Sequence, residues 1–374
     1  MPMFAMDVAF QGEGPSTRLP NPHSFLLKEE EYAHAYLEME FWGGDVQSQA
    51  LTTGSPVQVS FGRLPQMRNF YGYVNHVGRV NNQLAQTKEE RNAVCAYCVG
   101  ASWPMKECST NVFTAQTNTQ IIQQLAYQFG LGYYIVPSNV ITSGSKQQAG
   151  ITYWEFCAQL AREIGYTFYC DGIQLVAKPR QTNPNNINSL AAVFDYSNNP
   201  ASLPIFNPVL GSNSPAGGVL RNRILAGVDA ATLQPYIFNV TGSGTPSVLG
   251  VAQETPPFTD TIQFTSRSAG EAQGKLNGIG QLNQLYITAS AVGPGLPQIA
   301  PGQLIFVQNA NGSQNGLWFV TGVDHQLTAN NYIMSMQLGR DSIGQTATLA
   351  VMPQTSLPQE SALLVNNVWK AATQ

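Results

Sequence analysis

Charge is what this sequence has least of. Of its 374 residues only 11% are Asp, Glu, Lys or Arg, against roughly 25% in an ordinary globular domain. The net charge is −4, and no basic block occurs. A nucleic-acid binder held by phosphate contacts needs such a block, so that class is disfavoured. Histidines number four and cysteines five. Long apolar runs are also missing. The stretch near Ile287–Ala300 is broken by Gly293, Pro294, Gly295 and Pro297, short of the roughly 18 apolar residues of a membrane span. Met1–Asp7 carries no basic n-region and no signal-like core. The expectation is a chain without a membrane anchor that folds in a cytoplasm, with its cysteines reduced.

What is present points to β-structure. Apolar residues make up 43%, enough for a sizeable core. Asn and Gln fill the place of charge at about 16%, and 34 Gly and 23 Pro are spread along the chain. Many turns and a polar, uncharged surface follow. Such a surface suits a wall that something slides past, or a face covered by neighbouring subunits. The length allows two to four domains.

Along the chain, residues 1–24 read as an arm. Leu26–Met39 holds the charge cluster Lys28–Glu31 and reads as a short helix or an edge strand. From Gly54 the pattern alternates: Val57, Val59 and Phe61 share one face of a strand. Residues 62–69 read as a loop, Phe70–Val77 and Val94–Val99 as strands, and Lys88–Arg91 as solvated. Ile121, Ile122, Leu125 and Phe129 line one helical face, closed by Gly130, with a strand at Tyr133–Val136. The unit recurs at a constant offset. Thr152 and Glu155 form a capping-box pattern, Phe156, Leu160 and Ile164 line a face, Gly165 closes it, and Tyr166–Tyr169 is the strand. Asp171-Gly172 then turns the chain into Ile173–Ala177. Gln181–Leu190 marks a boundary, followed by a Gly/Ser/Pro/Asn-rich stretch with short strands. A helix is expected over Gly270–Leu285, a strand over Leu285–Ala291, and a meander over Leu304–Val307, Leu317–Val323 and Tyr332–Leu338.

Candidate chemistry is thin. Cys95-Ala-Tyr-Cys98 is a CxxC with Cys108 nearby, but zinc needs a second pair or histidines at suitable spacing. On a strand, that odd spacing puts the two thiols on opposite faces. Asp324-His325 could be an acid–base pair, yet adjacent strand residues also point apart, and no nucleophile motif accompanies them. Glu155 reads as a cap, Glu163 as a helix-surface residue, and the other Glu mostly as members of the solvated runs 29–40 and 89–107. Cys157 lies near a buried helix face. No P-loop or nucleotide fingerprint occurs. The reading is therefore a non-enzymatic chain with no catalytic, cofactor-binding or metal-binding residues and no cofactor.

Three passages together resemble one family. Ser55–Val59 followed by Phe70–Val74 looks like its opening strands. The helix–strand units at 119–136 and 152–170 look like its inserted α/β domain. Pro301-Gly302, Gly316–His325 and Tyr332–Arg340 look like its closing block. The family is the baseplate hub proteins of contractile-tailed bacteriophages, or late control protein D, whose module also forms the front part of the type VI secretion spike protein. The resemblance covers roughly 50–345. Residues 185–255 and both ends have no counterpart in it.

The resemblance implies a mainly β fold with an α/β insert: two tube-like β-barrel domains plus a small domain of two helix–strand units. Its boundaries would be an arm at 1–24, a first barrel at 25–98, the insert at 99–180, linker and additional barrel strands at 181–255, a second barrel at 256–345 and a tail at 346–374. Val57, Val59, Phe61, Tyr73, Trp318, Val320 and Val323 are the expected barrel core. Function would be structural: a homotrimeric ring in the virion's tail baseplate, assembled in the host cytoplasm, that adapts a sixfold tail tube to a threefold spike. Implied partners are the chain itself, tail tube protein, spike protein, other baseplate proteins and the tape measure protein, with DNA only passing non-specifically through the channel. The alternatives are a tail-tip hub of a flexible-tailed phage or of an injection machine, a carbohydrate-binding tail module, and a cell-wall hydrolase. The Pro-broken tail reads either as disordered or as an arm that orders on a partner.

Overall fold

The computed structural model describes residues 4–10, 17–19, 22–42, 51–81, 92–138, 145–180, 190–197, 203–209, 221–229, 232–240, 258–262, 268–282, 285, 287–310, 314–328, 331–340 and 360–372. Among these the chain is mainly β, with three α-helices.

The first seven strands are β1 (Phe4–Phe10), β2 (Thr17–Leu19), β3 (Ser24–Glu30), β4 (Tyr36–Phe41), β5 (Pro56–Arg63), β6 (Gln66–Asn81) and β7 (Asn92–Gly100). They pair in the order β3-β4-β7-β6-β5-β1-β2. Their alternation buries Phe25, Leu27, Leu37, Met39, Val57, Val59 and Phe61 in one core. Two readings change here. Leu26–Met39 is neither helix nor edge: it forms a hairpin inside the sheet. Residues 62–69 are not an extended loop but the tip of the β5–β6 hairpin, with Arg63 opposite Gln66. Lys88–Arg91 lies outside the described residues.

The α/β layer follows: β8 (Cys108–Thr114), α1 (Asn118–Gln128), β9 (Gly132–Ile135), β10 (Ser145–Thr152), α2 (Tyr153–Glu163), β11 (Tyr166–Asp171) and β12 (Gln174–Pro179). Both helices open on a capping box, Thr117 with Gln120 and Thr152 with Glu155. Both end ahead of a glycine in the left-handed region, Gly130 and Gly165. They cover a sheet in the order β11-β12-β9, with Ile121, Leu125, Phe156 and Leu160 buried. The β11–β12 turn is Gly172-Ile173, one residue later than the sequence suggests.

The remaining elements are β13 (Leu190–Asp195), β14 (Ile205–Val209), β15 (Arg221–Val228), β16 (Pro235–Val240), β17 (Phe258–Ile262), α3 (Ala269–Leu282), β18 (Ile287–Pro294), β19 (Leu304–Gln308), β20 (Gly316–Thr328), β21 (Asn331–Arg340), β22 (Ala362–Val365) and β23 (Val368–Ala371). In the stretch assigned to linker and extra barrel strands, β13 and β14 join the large sheet. β15 and β16 instead form a separate sheet with β17, in the order β16-β15-β17, packed on Ala272 and Leu276 of α3.

One pairing unites the two β halves. β20 pairs with β21 on one side and with β3 on the other, Leu327 facing Phe25 and Val323 facing Glu29. The result is a 13-stranded sheet, called the β frame below. Its second core holds Trp318, Val320, Val323, Met334, Met336 and Leu338. Of the residues expected in the β cores, Tyr73 alone packs elsewhere, in the α/β cluster. Among the described residues no pairing closes either half into a barrel; β14 and β2 end the main path.

Candidate functional site

Period-two alternation gives the frame two faces. The face away from the cores carries small polar groups: Ser290 on β18, Ser335 and Gln337 on β21, Gln326 on β20. Its charges are mostly acidic: Glu30 on β3 and Glu38 and Glu40 on β4 share this face with Asp324 and Lys28. Lys28 on β3 stands opposite Asp324 on β20. A concavity of about 460 Å³ opens where the halves meet, lined among others by Lys28, Glu30, Tyr36, Ser290, Asp324 and Gln337. Partial burial raises the Asp324 carboxyl, and Lys28 opposes that shift. The lining offers hydroxyls, amides, one lysine and the carboxylates of Glu30 and Asp324. It presents a polar surface with a small acidic excess.

The inner face changes character at the seam between the halves. Along β20 the inward residues run Trp318, Val320 and Val323 in the second core, then His325, then Leu327 in the first. Along β3 they run Phe25, Leu27, Glu29. His325, opposite Leu27, and Glu29, opposite Val323, therefore both lie where the two cores adjoin. Arg68, near the start of β6, fills this position and is 4% exposed. Its Nη2 donates to Glu29 Oε1 at 2.7 Å and to Asp171 Oδ1 at 3.0 Å. Its Nε also donates to Asp171, at 3.3 Å, and its Nη1 donates to the Ile299 carbonyl at 3.2 Å. One side chain thus ties the first half, the second half and the α/β layer together.

His325 completes the seam without charge. Its Nε2 lies 3.1 Å from the Ile299 carbonyl, which can only accept, so Nε2 carries the proton. Nδ1 then accepts from the Tyr332 hydroxyl at 3.0 Å. Arg68 Nη1 approaches Nε2 at 3.5 Å, a meeting of two donors rather than a bond. Burial first, and Arg68 second, push His325 down to about 3. A second ion pair lies beside this one: Glu31 takes Nε and Nη2 of Arg180, whose Nη1 donates to the Leu282 carbonyl. Tyr32 N donates to the Phe168 carbonyl at 2.6 Å, and Trp154 Nε1 donates to the Tyr32 carbonyl at 3.0 Å. The β3–β4 turn thereby plugs into the α/β layer.

Asp324 and His325 point to opposite faces and do not act as a pair. Cys98 is in the first core, where burial pushes its thiol up to about 12, while Cys95 sits opposite Glu40 on β4. Cys157 is fully buried and its thiol is raised by that burial. Glu155 caps α2. Glu163 is no free helix-surface residue: it pairs with Lys146 and accepts from Asn118 Nδ2. Glu29 and Glu31, read from sequence as solvated, are 6% and 8% exposed. Their signal was available: the strand alternation through Phe25 and Leu27 continues into them.

The end of the chain also departs from both readings of the tail. β22 and β23 form a hairpin that orders on the chain itself. Its turn, Asn366-Asn367, has φ of 51° and 60°, a mirror-image turn that suits asparagine. Trp369 is 1% exposed; its Nε1 donates to the Gly72 carbonyl at 2.8 Å, and its backbone N donates to the Tyr73 hydroxyl at 2.8 Å. Ala371 N donates to the Gly130 carbonyl. The hairpin straps β6 to the end of α1. Residues 346–359 of the tail lie outside the described residues.

No protein-family model matches the sequence, and no curated protein does either. Solved structures do match in fold. A tail protein from Neisseria meningitidis MC58 aligns over 91% of this chain and 98% of its own, at 11% identity and a TM-score of 0.60. The 43 kDa tail protein of prophage MuSo2 from Shewanella oneidensis aligns over 90% and 99%, at 13% identity and a TM-score of 0.61. An Escherichia coli component of the type VI secretion system, described as structurally similar to T4 bacteriophage tail proteins, aligns over 91% and 79%, at 11% identity and a TM-score of 0.54. The chain thus shares its overall fold with these tail and secretion-system proteins.

Proposed function

We propose that this chain is a structural, non-enzymatic component of a phage tail baseplate. In that reading it is a homotrimeric hub that joins a sixfold tail tube to a threefold spike and lines the channel between them. The observation that carries the reading is the nearly end-to-end match in fold with two tail proteins, one of them from a prophage. The frame supports it: two β halves in one chain would give three subunits six similar elements around an axis, a heterologous ring closed by rotation. Each half would complete a tube-like barrel in the assembly. The polar outer face, with acidic groups in excess over Lys28, supplies a wall with little hold on a passing polyanion. Partners in this reading are other copies of the chain, tail tube, spike, further baseplate proteins and the tape measure protein. The location is the virion tail.

Light scattering combined with negative-stain images of the same peak tests this. The expected result is a mass near three times 40.5 kDa, with three-lobed rings around a hole, either alone or once tube and spike proteins are added. A chain that stays monomeric in their presence sinks the hub reading.

A further inference from the structure

We propose that Glu29 holds a proton in the folded chain, and that its ionisation loosens the docking of the α/β layer on the β frame. The argument begins with donors. Asp171 Oδ1 receives two of the Arg68 N–H groups, Nε and Nη2. Glu29 receives only a share of Nη2, through Oε1. Its second oxygen is buried and has no hydrogen-bond partner among the described residues. A carboxylate with a bare oxygen in dry surroundings is far costlier than the neutral acid.

The neighbours do not supply the missing charge. The groups facing the seam are Arg68 from β6, Tyr169 and Asp171 from β11, His325 from β20 and Tyr332 from β21. His325 is neutral through its bonds to Ile299 and Tyr332. Tyr169 is raised well above its ordinary value by burial. Glu31, just past the end of β3, has its own partner in Arg180. Lys178, pushed down to about 8 by burial, acts on Asp171 and Glu31 rather than on Glu29. Burial therefore outweighs the pull of Arg68 and raises Glu29 to about 7.

The consequence is mechanical. Asp171 is the point at which β11 grips Arg68, and Glu29 competes with it for Nη2. Ionised Glu29 adds a negative charge beside Asp171, and opening the seam to water relieves the repulsion. Docking is then firm below the titration of Glu29 and weakens as pH rises through it. The inference is independent of the proposed assembly role.

Infrared difference spectra of the full chain from about pH 5 to about pH 8 test the proton directly. Wild type should show the carbonyl stretch of a buried carboxylic acid that titrates near neutrality, and Glu29→Gln should lack it. The absence of that band in wild type, or its persistence in the Gln variant, overturns the proposal. Amide-exchange protection factors test the docking. Between about pH 6 and pH 7 those of β11 and β12 should fall by up to tenfold in wild type and stay level in Glu29→Gln. A level wild-type profile overturns the mechanical half. If Glu29→Gln does not fold, Asp171→Asn serves instead. It leaves Arg68 to Glu29 alone and should shift the titration down by about one pH unit or more; an unmoved midpoint overturns the assignment.

Discussion

Replacing Arg68 by Met would leave Glu29 and Asp171 together in a buried seam with no guanidinium between them. Breaking a buried ion network from one side costs about 3–5 kcal/mol, because uncompensated charge remains. Urea denaturation of Arg68→Met should show a loss of that order. Adding Glu29→Leu and Asp171→Leu to it should recover much of the loss, since an apolar triad of similar volume is often neutral. His325 makes a pH prediction of opposite sign to Glu29. Its folded value, about 3, lies below the ordinary value of 6.5. The unfolded chain therefore takes up this proton first as pH falls, and stability is lost from 6.5 downward. His325→Gln should flatten the acid limb of the stability curve between those two values; an unchanged limb would remove His325 from the account. At this scale the sequence was only half legible. Alternation places Glu29 and Glu31 on the inner face, but nothing local reveals their partners. Arg68 is 39 positions from Glu29 and 103 from Asp171.

Elements whose signals are local were readable. The Thr152–Glu155 capping box, the apolar stripes of α1 and α2, and the Val57–Phe61 strand all fold as their spacing says. What spacing does not carry is which element lies against which. Gly278 in α3 is an example. A Cβ there would stand 2.3 Å from the Glu163 carbonyl at the end of α2. Alanine is the better helix former by roughly 1 kcal/mol, so propensity alone predicts that Gly278→Ala stabilises. Close approach predicts the reverse, a lower thermal midpoint, and calorimetry decides between them. The C-terminal hairpin hid for a related reason. Its inward residues, Ala362, Leu364, Trp369 and Ala371, make an apolar face too short to fold alone. It forms because Tyr71, Gly72 and Gly130 receive it. Trp369→Ala should therefore cost about 3–5 kcal/mol, with loss of protection at the start of β9 as well as in the hairpin.

The whole molecule turns on β20. β20 contributes Trp318, Val320 and Val323 to the second β core and Leu327 to the first, with His325 between, and its neighbour β21 adds Tyr332 to the first and Met334, Met336 and Leu338 to the second. It is paired along both edges, to β21 and to β3. Neither half can lose this strand without exposing core side chains of its own. The two β halves should therefore unfold together, although the sequence presents them far apart, with the α/β layer between. Hydrogen exchange provides the measurement. The slowest amides of β5 and β6 and those of β18 and β21 should open with free energies equal to within about 0.5 kcal/mol. Gln326→Pro supplies the perturbation. Gln326 faces Ile333 on one side and Leu26 on the other, and proline in an interior strand removes a ladder bond that no solvent replaces. Both sets of amides should lose protection in that variant. Loss confined to β18 and β21 would mean that the first half stands without β20, and the frame would then be two domains that happen to share an edge.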